Sequence, residues 1–370
     1  MDFSLTEDQD SLRALAADIF GDKATTERIE AVEATAERFD RDLWRELAGA
    51  GLLGIALPEA SGGAGLGLVE LALVCEEHGR VVAPIPLVWT TTAAAAIAVH
   101  GDASQQSWVQ GAVSGDVVLT CALPVAAAGS KVVDGAISGE IAGVPYAHVA
   151  AAIVIPSGGE LYLLEPSAPG VTILTGISTT NEIHGELLLD QAPVTRIGSQ
   201  AADWWEARLL IALAATSAGL CDAALKRTAA YTSERLQFEK PLSTFQGVQL
   251  KAADAYVDAG GIHAAVLQAA WRLDDAATPK EASAYVLTAA WWAAEAGQHC
   301  VHITQHLHGG MGADITYPIH RYFLWGKSIE LYVGGASRLL ARLGDVIVTL
   351  DNPGDDITIP GYETVTAAVA

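Results

Sequence analysis

Between residues 113 and 199 the sequence stops repeating apolar residues at helical spacing. It turns to short β-type runs over residues 117–123, 148–155, 160–164, 170–174 and 185–189, separated by Gly, Pro and Ser. No helical segment lies between any two of these runs. Strands that follow one another without helical crossovers pair antiparallel, which excludes a dinucleotide-binding βαβ unit and predicts a small antiparallel β domain over residues 113–200.

Both flanks read as helix. In residues 1–112, Thr6-Glu7-Asp8-Gln9 forms a capping box, and Leu12, Leu15, Ala16 and Ile19 follow at helical spacing. A Gly- and Pro-bearing loop over residues 58–67 interrupts this zone. In residues 201–350, Asp203 and Glu206 have the cap and N3 spacing that opens a helix running to about Arg235. Ser243 and Gln246 open a second helix, and Thr278-Pro279-Lys280-Glu281 a third that stops at Gly309-Gly310. Long helices on short connections predict a four-helix bundle. Residues 351–370, with Pro353, Gly354, Pro360 and Gly361, read as an extended tail. The expected class is α+β: an N-terminal helical domain, a central β domain and a C-terminal bundle.

Composition narrows the function. The 370 residues carry 21 Lys and Arg against 44 Asp and Glu, a net charge of −23 that repels nucleic acid and anionic membranes. The longest uncharged apolar stretch, residues 209–221, is shorter than the roughly 20 residues of a bilayer span. The start, Met1-Asp2-Phe3-Ser4, has no basic or apolar leader pattern, so a cytoplasmic protein is expected. Cys75, Cys121, Cys221 and Cys300 lack C-x-x-C spacing and read as buried thiols, not as a disulfide or metal frame.

Three motifs carry a family resemblance. Gly51-Leu52-Leu53-Gly54-Ile55, Pro58-Glu59, Gly62-Gly63 and Gly65 lead into Glu76-Glu77-His78-Gly79-Arg80. Arg235-Leu236-Gln237-Phe238 precedes Phe245-Gln246. Finally comes Gln305-His306-Leu307-His308-Gly309-Gly310-Met311-Gly312. In this order they resemble the N-terminal signature, the Arg-x-x-Phe-Gly and Gln pair, and the Gln-x-x-Gly-Gly-x-Gly motif of the acyl-CoA dehydrogenases. The resemblance implies that fold, together with FAD as cofactor and Arg235, Phe238, Gln246, Gln305, Gly309 and Gly310 as contacts to the pyrophosphate and adenosine half of a neighbouring subunit's FAD. A guanidinium grips a pyrophosphate by a bidentate contact, and glycine lets the backbone come close. Taken singly, each residue has an ordinary explanation: Arg235 as a cation at a helix C-terminus, Gln246 as an N3 capping residue, Gly309-Gly310 as a helix stop. The family's glycine after Phe238 is here Glu239.

The resemblance also shows what is missing. The family removes the acyl α-proton with the Glu of a Tyr-Glu-Gly-Thr motif; counted from Tyr317-Pro318 without a gap, the corresponding run is Tyr332-Val333-Gly334-Gly335, which puts Val333 at the base position. The alternative base position of a minority of relatives, counted back from Arg235, falls at about Leu209. Neither can take a proton. Glu206 and Glu330 are nearby carboxylates to weigh as displaced bases; Glu206 reads as the N3 partner of Asp203 and Glu330 as an ordinary charge on a turn or helix face. The family's Arg-Asp pair before the base is Leu324-Trp325. Its flavin-cradling loop is Ala122-Leu123-Pro124-Val125-Ala126-Ala127-Ala128-Gly129, and residues 138–146 lack the family's Trp.

The losses fall on the side that would hold the chain's own flavin and thioester, while the retained residues face a neighbour. The resemblance therefore implies the non-catalytic subunit of an α2β2 heterotetramer of the kind used in actinobacterial steroid side-chain degradation. The acyl-CoA would be bound mainly by a paralogous catalytic partner. A self-sufficient enzyme using Glu206 or Glu330, and a scaffold of this fold without flavin, stay open as alternatives. Trp204-Trp205 and Trp291-Trp292 each predict one ring in the core and one at a subunit interface or partly exposed.

Overall fold

The computed structural model describes residues 3–275 and 279–349; the expected tail from Asp351, and Thr278 of the third helix start, lie outside them. Six helices come first: α1 (Glu7–Lys23), α2 (Thr26–Glu33), α3 (Arg41–Gly49), α4 (Leu68–Val81), α5 (Leu87–His100) and α6 (Gln106–Val113). The capping box that opens α1 is present: the Thr6 N–H donates to Gln9 Oε1 at 3.0 Å, and the Gln9 N–H donates to Thr6 Oγ1 at 3.2 Å. The buried stripe of α1 runs through Ala16 and Phe20. Leu15 is 44% exposed, so the core-facing role that its spacing predicts does not hold.

The central zone contains β1 (Leu119–Cys121), a short helix α7 (Pro124–Ala127), β2 (Lys131–Val133), β3 (Ala136–Pro145), β4 (Ala152–Ser157), β5 (Glu160–Leu164), β6 (Val171–Ile177), β7 (Ile183–Pro193) and β8 (Thr195–Ile197). They form two four-stranded sheets, ordered β1-β4-β5-β8 and β2-β3-β7-β6. All pairs are antiparallel except β1 with β4, which run parallel in the register Leu119 to Ala152. The antiparallel expectation is corrected at that one pair. The crossover that makes it possible is not a long helix but the excursion through α7, β2 and β3 into the second sheet.

The C-terminal zone holds α8 (Ala202–Glu234), the hairpin β9 (Leu236–Gln237) and β10 (Lys240–Pro241), α9 (Gln246–Asp274), α10 (Pro279–Leu307), α11 (Ile319–Tyr332) and α12 (Ala336–Ile347). Helix α8 begins at Ala202 with Ala201 as its N-cap and no side-chain cap bond, so Asp203 sits inside the first turn and is not the cap. Helix α9 begins at Gln246 after Phe245. That makes Gln246 the first helical residue, not the N3 residue of a Ser243 cap. By length and composition α8 alone among the described helices could cross a membrane, but 83% of its apolar window is buried in the fold. It is the central rod of the bundle.

Helix α8 crosses α4 at backbone contact. A Cβ on Gly219 would collide with the Glu76 carbonyl, and one on Gly79 with the Thr216 carbonyl. All four cysteines are free and buried, as expected. Trp205 is buried while Trp204 is half-exposed under the Arg208 guanidinium, 3.5 Å above its ring; Trp291 and Trp292 are both half-buried. The three zones meet at one buried ion pair, where Arg321 of α11 donates to Glu33 of α2 and Asn181 of the β6–β7 turn donates to the same carboxylate at 3.0 Å. From the far end of α9, Asp274 accepts the free N–H groups of Leu68 and Val69 at 2.8 and 3.0 Å, capping α4.

Gly219→Ala should lower unfolding free energy by about 2–4 kcal/mol, because neither backbone at the crossing can yield. Gly344→Ala in exposed α12, where a Cβ meets nothing within 4 Å, should raise it by about 0.5–1 kcal/mol. Urea unfolding of both variants checks the contrast.

Candidate functional site

Two regions at opposite ends of α8 collect the residues that the sequence singles out. At its N-terminal end, Leu209 and Val333 line one small cavity together with Leu123, Leu339, Glu206 and Arg342. Val333 caps the C-terminus of α11 just before Gly334 and Gly335, both at positive φ; it is 2% exposed and Leu209 1%. The cavity measures about 20 Å³, room for a single water.

Glu206 lies one turn before Leu209, and its carboxylate is held by Arg342 through a bidentate pair of 2.8 and 3.0 Å. The expected role as N3 partner of Asp203 is thus replaced by an ion pair that ties α12 to α8. Glu330 accepts from Lys327 one turn away and does not line the cavity. The run 122–129 forms α7 and its flanks, and the nearest hydroxyl, Ser130 Oγ, donates to the Ala127 carbonyl at 2.7 Å. Gly139, within the strand expected to carry a Trp, sits at φ +134 against the Ser130 backbone.

The other end of α8 is open. Arg235 is the C-cap residue of α8; it is exposed and makes no ion pair among the described residues. The hairpin that follows pairs Gln237 with Lys240, leaving Phe238 (φ +50) and Glu239 (φ +65) as a two-residue loop with both backbones left-handed. This turn type favours Asn-Gly. Phe238 is 85% exposed, with only its edge near the Phe245 ring at 6.4 Å. Gln246 is exposed, and a Cβ built on Gly309 or Gly310 meets no atom within 4 Å.

Helix α8 is pinned to the Gly309 segment by Tyr231, whose ring stacks on His308 at 4.4 Å and whose hydroxyl donates to the His308 carbonyl at 3.3 Å. His308 Nδ1 donates to the Thr304 carbonyl at 2.7 Å, and burial holds its imidazole below the usual histidine pKa. Arg235, Phe238, Gln246, Gly309 and Gly310 therefore share one open end of the bundle.

Gln305 does not join them on the same terms. It is half-buried, and its Nε2 donates to the Gly312 carbonyl at 2.9 Å, closing its own turn. It also stands four residues before Gly309, where the motif has its Gln three before. His306, exposed, fills that spacing. Counting back from Gly309 instead of forward from Gln305 would have found it.

Model matches cover residues 6–116 for "Acyl-CoA dehydrogenase, N-terminal domain" and residues 207–347 for "Acyl-CoA dehydrogenase, C-terminal domain". The chain is 37% identical over 367 residues to the acyl-CoA dehydrogenase FadE27 of Mycobacterium tuberculosis, covering 93% of this chain and 98% of that one. Among solved structures it is similar to a variant of the Tcur3481-Tcur3483 steroid ACAD, with 46% identity, a TM-score of 0.87 and coverage of 92% of this chain and 98% of that chain. The ChsE4-ChsE5 complex from Mycobacterium tuberculosis is similar at 34% identity and a TM-score of 0.87, covering 95% and 100%.

The left-handed backbone at Glu239 carries a steric cost that glycine does not. Glu239→Gly should raise the stability of the isolated chain by about 1 kcal/mol, measured as a shift in the urea midpoint at unchanged m-value.

Proposed function

The chain belongs to the acyl-CoA dehydrogenase family, and we propose that it serves there as a non-catalytic subunit that completes the FAD site of a paralogous catalytic partner. One observation carries this reading: the two positions where the family keeps its base, Val333 and Leu209, meet in a single cavity of about 20 Å³ and are both apolar. No group in that wall can accept an α-proton except Glu206, and Arg342 occupies both of its oxygens.

The fit to FAD differs at the two ends of α8. The space between Leu209 and Val333 holds about 20 Å³, far less than a flavin or a thioester, while open cavities of about 470 and 240 Å³ lie on either side of Glu206. The open end suits a dinucleotide: Arg235 offers a bidentate guanidinium, Gly309 and Gly310 let a phosphate approach the backbone, and Gln246 and His306 add side-chain donors. Leu209 and Arg235 stand 26 positions apart, about 40 Å of helix, too far for one dinucleotide to reach both. Arg235 therefore serves a site other than the cavity of its own chain. When bound, FAD would supply the hydride acceptor for the acyl β-carbon, and Arg235, Gly309 and Gly310 of this chain would hold its pyrophosphate and shield that edge from water.

The exposed apolar side chains Leu236, Phe238, Leu250 and Ile315 lie at or near the same end and support burial against a second subunit. Likeness to a steroid ACAD supports a steroid side-chain CoA as the substrate of the assembly, with α2β2 stoichiometry. A self-sufficient enzyme using Glu206 has one observation in its favour, that Glu206 lines the cavity, but it requires breaking the Arg342 pair.

Purified alone, the chain should be colourless. Co-expressed with its partner it should give a yellow, active complex, while Val333→Glu in the isolated chain restores no turnover. Arg235→Ala in the complex should raise the FAD dissociation constant at least about tenfold, as loss of one charged hydrogen bond of ~1.5–3 kcal/mol implies. Stoichiometric FAD and turnover on the chain alone, lost in Glu206→Gln, would favour the self-sufficient enzyme; unchanged flavin in Arg235→Ala would favour a scaffold.

A further inference from the structure

Two adjacent glycines, Gly260 and Gly261, stand in the middle of α9, a helix of 29 residues. Glycine inside a helix is destabilising relative to alanine, so each position asks for a reason. Gly261 has one within the chain: a Cβ there would meet the Trp292 ring at 2.7 Å. Gly260 has none of that kind. It is exposed, and a Cβ built on it meets no atom within 4 Å. A helical glycine without a neighbour in its own chain suits a place where another backbone comes close.

Gly260 lies on the side of α9 turned away from the core. Leu250, Ala253, Val257, Gly260, Ala264 and Trp271 follow at intervals of three, four, three, four and seven residues, and all six are exposed, Leu250 at 60% and Val257 at 65%. Buried Ala255, Ile262, Val266 and Ala269 hold the opposite side. Alternating intervals of three and four are the seam of two packed helices, and no charged residue interrupts this one. The side-chain sizes are arranged about Gly260 and Gly261. A second α9 laid antiparallel across that point sets Leu250 against Trp271, Ala253 against Gln268 and Val257 against Ala264, with the glycines at the crossing. One edge of the seam carries Asp254 towards one end and Arg272 towards the other, and neither makes an ion pair among the described residues. Antiparallel pairing puts Arg272 of each copy on the same edge as Asp254 of the other, about 8 Å along the axis and within the span of an arginine side chain. Parallel pairing in register would set like charges side by side.

We infer that the outward face of α9 docks on α9 of a second copy of this chain, antiparallel, with a two-fold axis at Gly260 and Gly261. Such a contact is isologous, so one patch supplies both sides of it. The pairing uses residues of this chain alone and does not rest on the flavin site. A seam about 32 Å long and about 10 Å wide offers on the order of 300 Å² per copy, against about 800 Å² in a standard interface. It is therefore a weak contact by itself. The free chain pairs only at high concentration, whereas in the heteromer proposed above the seam joins two heterodimers through their non-catalytic chains.

Cysteine crosslinking of the full-length chain, alone and co-expressed with its partner, tests the register. The four native cysteines are buried, so mild copper-phenanthroline oxidation reports on introduced thiols. Gly260→Cys places its two copies beside the axis and should give a disulfide-linked dimer of this chain. Leu250→Cys, whose copies lie about 30 Å apart in the antiparallel pair, should not. In sedimentation equilibrium, Gly260→Leu should weaken self-association of the free chain at least tenfold and split an α2β2 complex into heterodimers that keep FAD, with no fall in the urea midpoint. A Leu250→Cys dimer as abundant as the Gly260→Cys dimer overturns the antiparallel register. A Gly260→Cys crosslink to the paralogous partner gives the seam to that partner and overturns self-recognition, as does unchanged association in Gly260→Leu. A Gly260→Cys dimer from a chain that never joins a partner or holds FAD sinks the proposed function and leaves this pairing standing.

Discussion

The crossing of α4 over α8 is the contact on which the remaining architecture rests. Gly79 and Gly219 bring two helix backbones together so closely that neither tolerates a methyl group, and everything else on α4 is positioned by that approach. Glu76, Glu77 and His78 are carried into the interior with it, where an unpaired carboxylate would cost several kcal/mol. His263 from α9 and Arg80 from the next turn of α4 answer them. A steric allowance at two glycines thus fixes which helices must supply partners. It also fixes the direction of α8, whose two ends define the closed and the open regions.

The three zones are held together by groups independent of any cofactor. Glu33, Arg321 and Asn181 join the first helices, the β6–β7 turn and α11 in one buried node, and Asp274 caps α4 from the far end of α9. In a protein that folds around a bound dinucleotide, some of this cohesion comes from ligand binding. Here the corresponding space is packed with Leu209, Val333 and Leu339, each nearly free of solvent contact. Burial of these apolar side chains contributes about 1.5–3 kcal/mol apiece. This wall of the bundle is thus cohesive with no ligand between its side chains, as the proposed non-catalytic role requires.

Much of this architecture was legible in the sequence because periodicity is a local property. The α, β, α order, the capping box at Thr6, β5 at its full extent and the stop at Gly309 all follow from residues within one turn of each other. Features set by distant partners were not. The parallel β1–β4 pair depends on a detour through another sheet, and β3 is hidden by its Ala, Ser and Gly content. Glu206 looked like a local capping residue because its true partner, Arg342, lies 136 positions away. At the candidate site, Val333 and Leu209, the positions that gap-free counting reaches, line one cavity, whereas Gln305 closes its own turn on the Gly312 carbonyl four residues before Gly309.

The hairpin after Arg235 adds a different kind of argument. Phe238 and Glu239 both hold left-handed backbones in a turn that usually calls for Asn-Gly, a cost of about 1–2 kcal/mol for each residue. Phe238 is also left almost fully in water, so within the isolated chain neither the strain nor the exposure is offset. Contacts with a second subunit change both terms: burying one phenylalanine contributes about 1.5–3 kcal/mol, comparable to the backbone cost of the turn that presents it. Backbone strain of this kind clusters at ligand clamps and other functional surfaces. The turn lies beside Arg235, Gln246 and Gly309, so the segment that is poorest in the isolated chain is the one with most to gain from assembly.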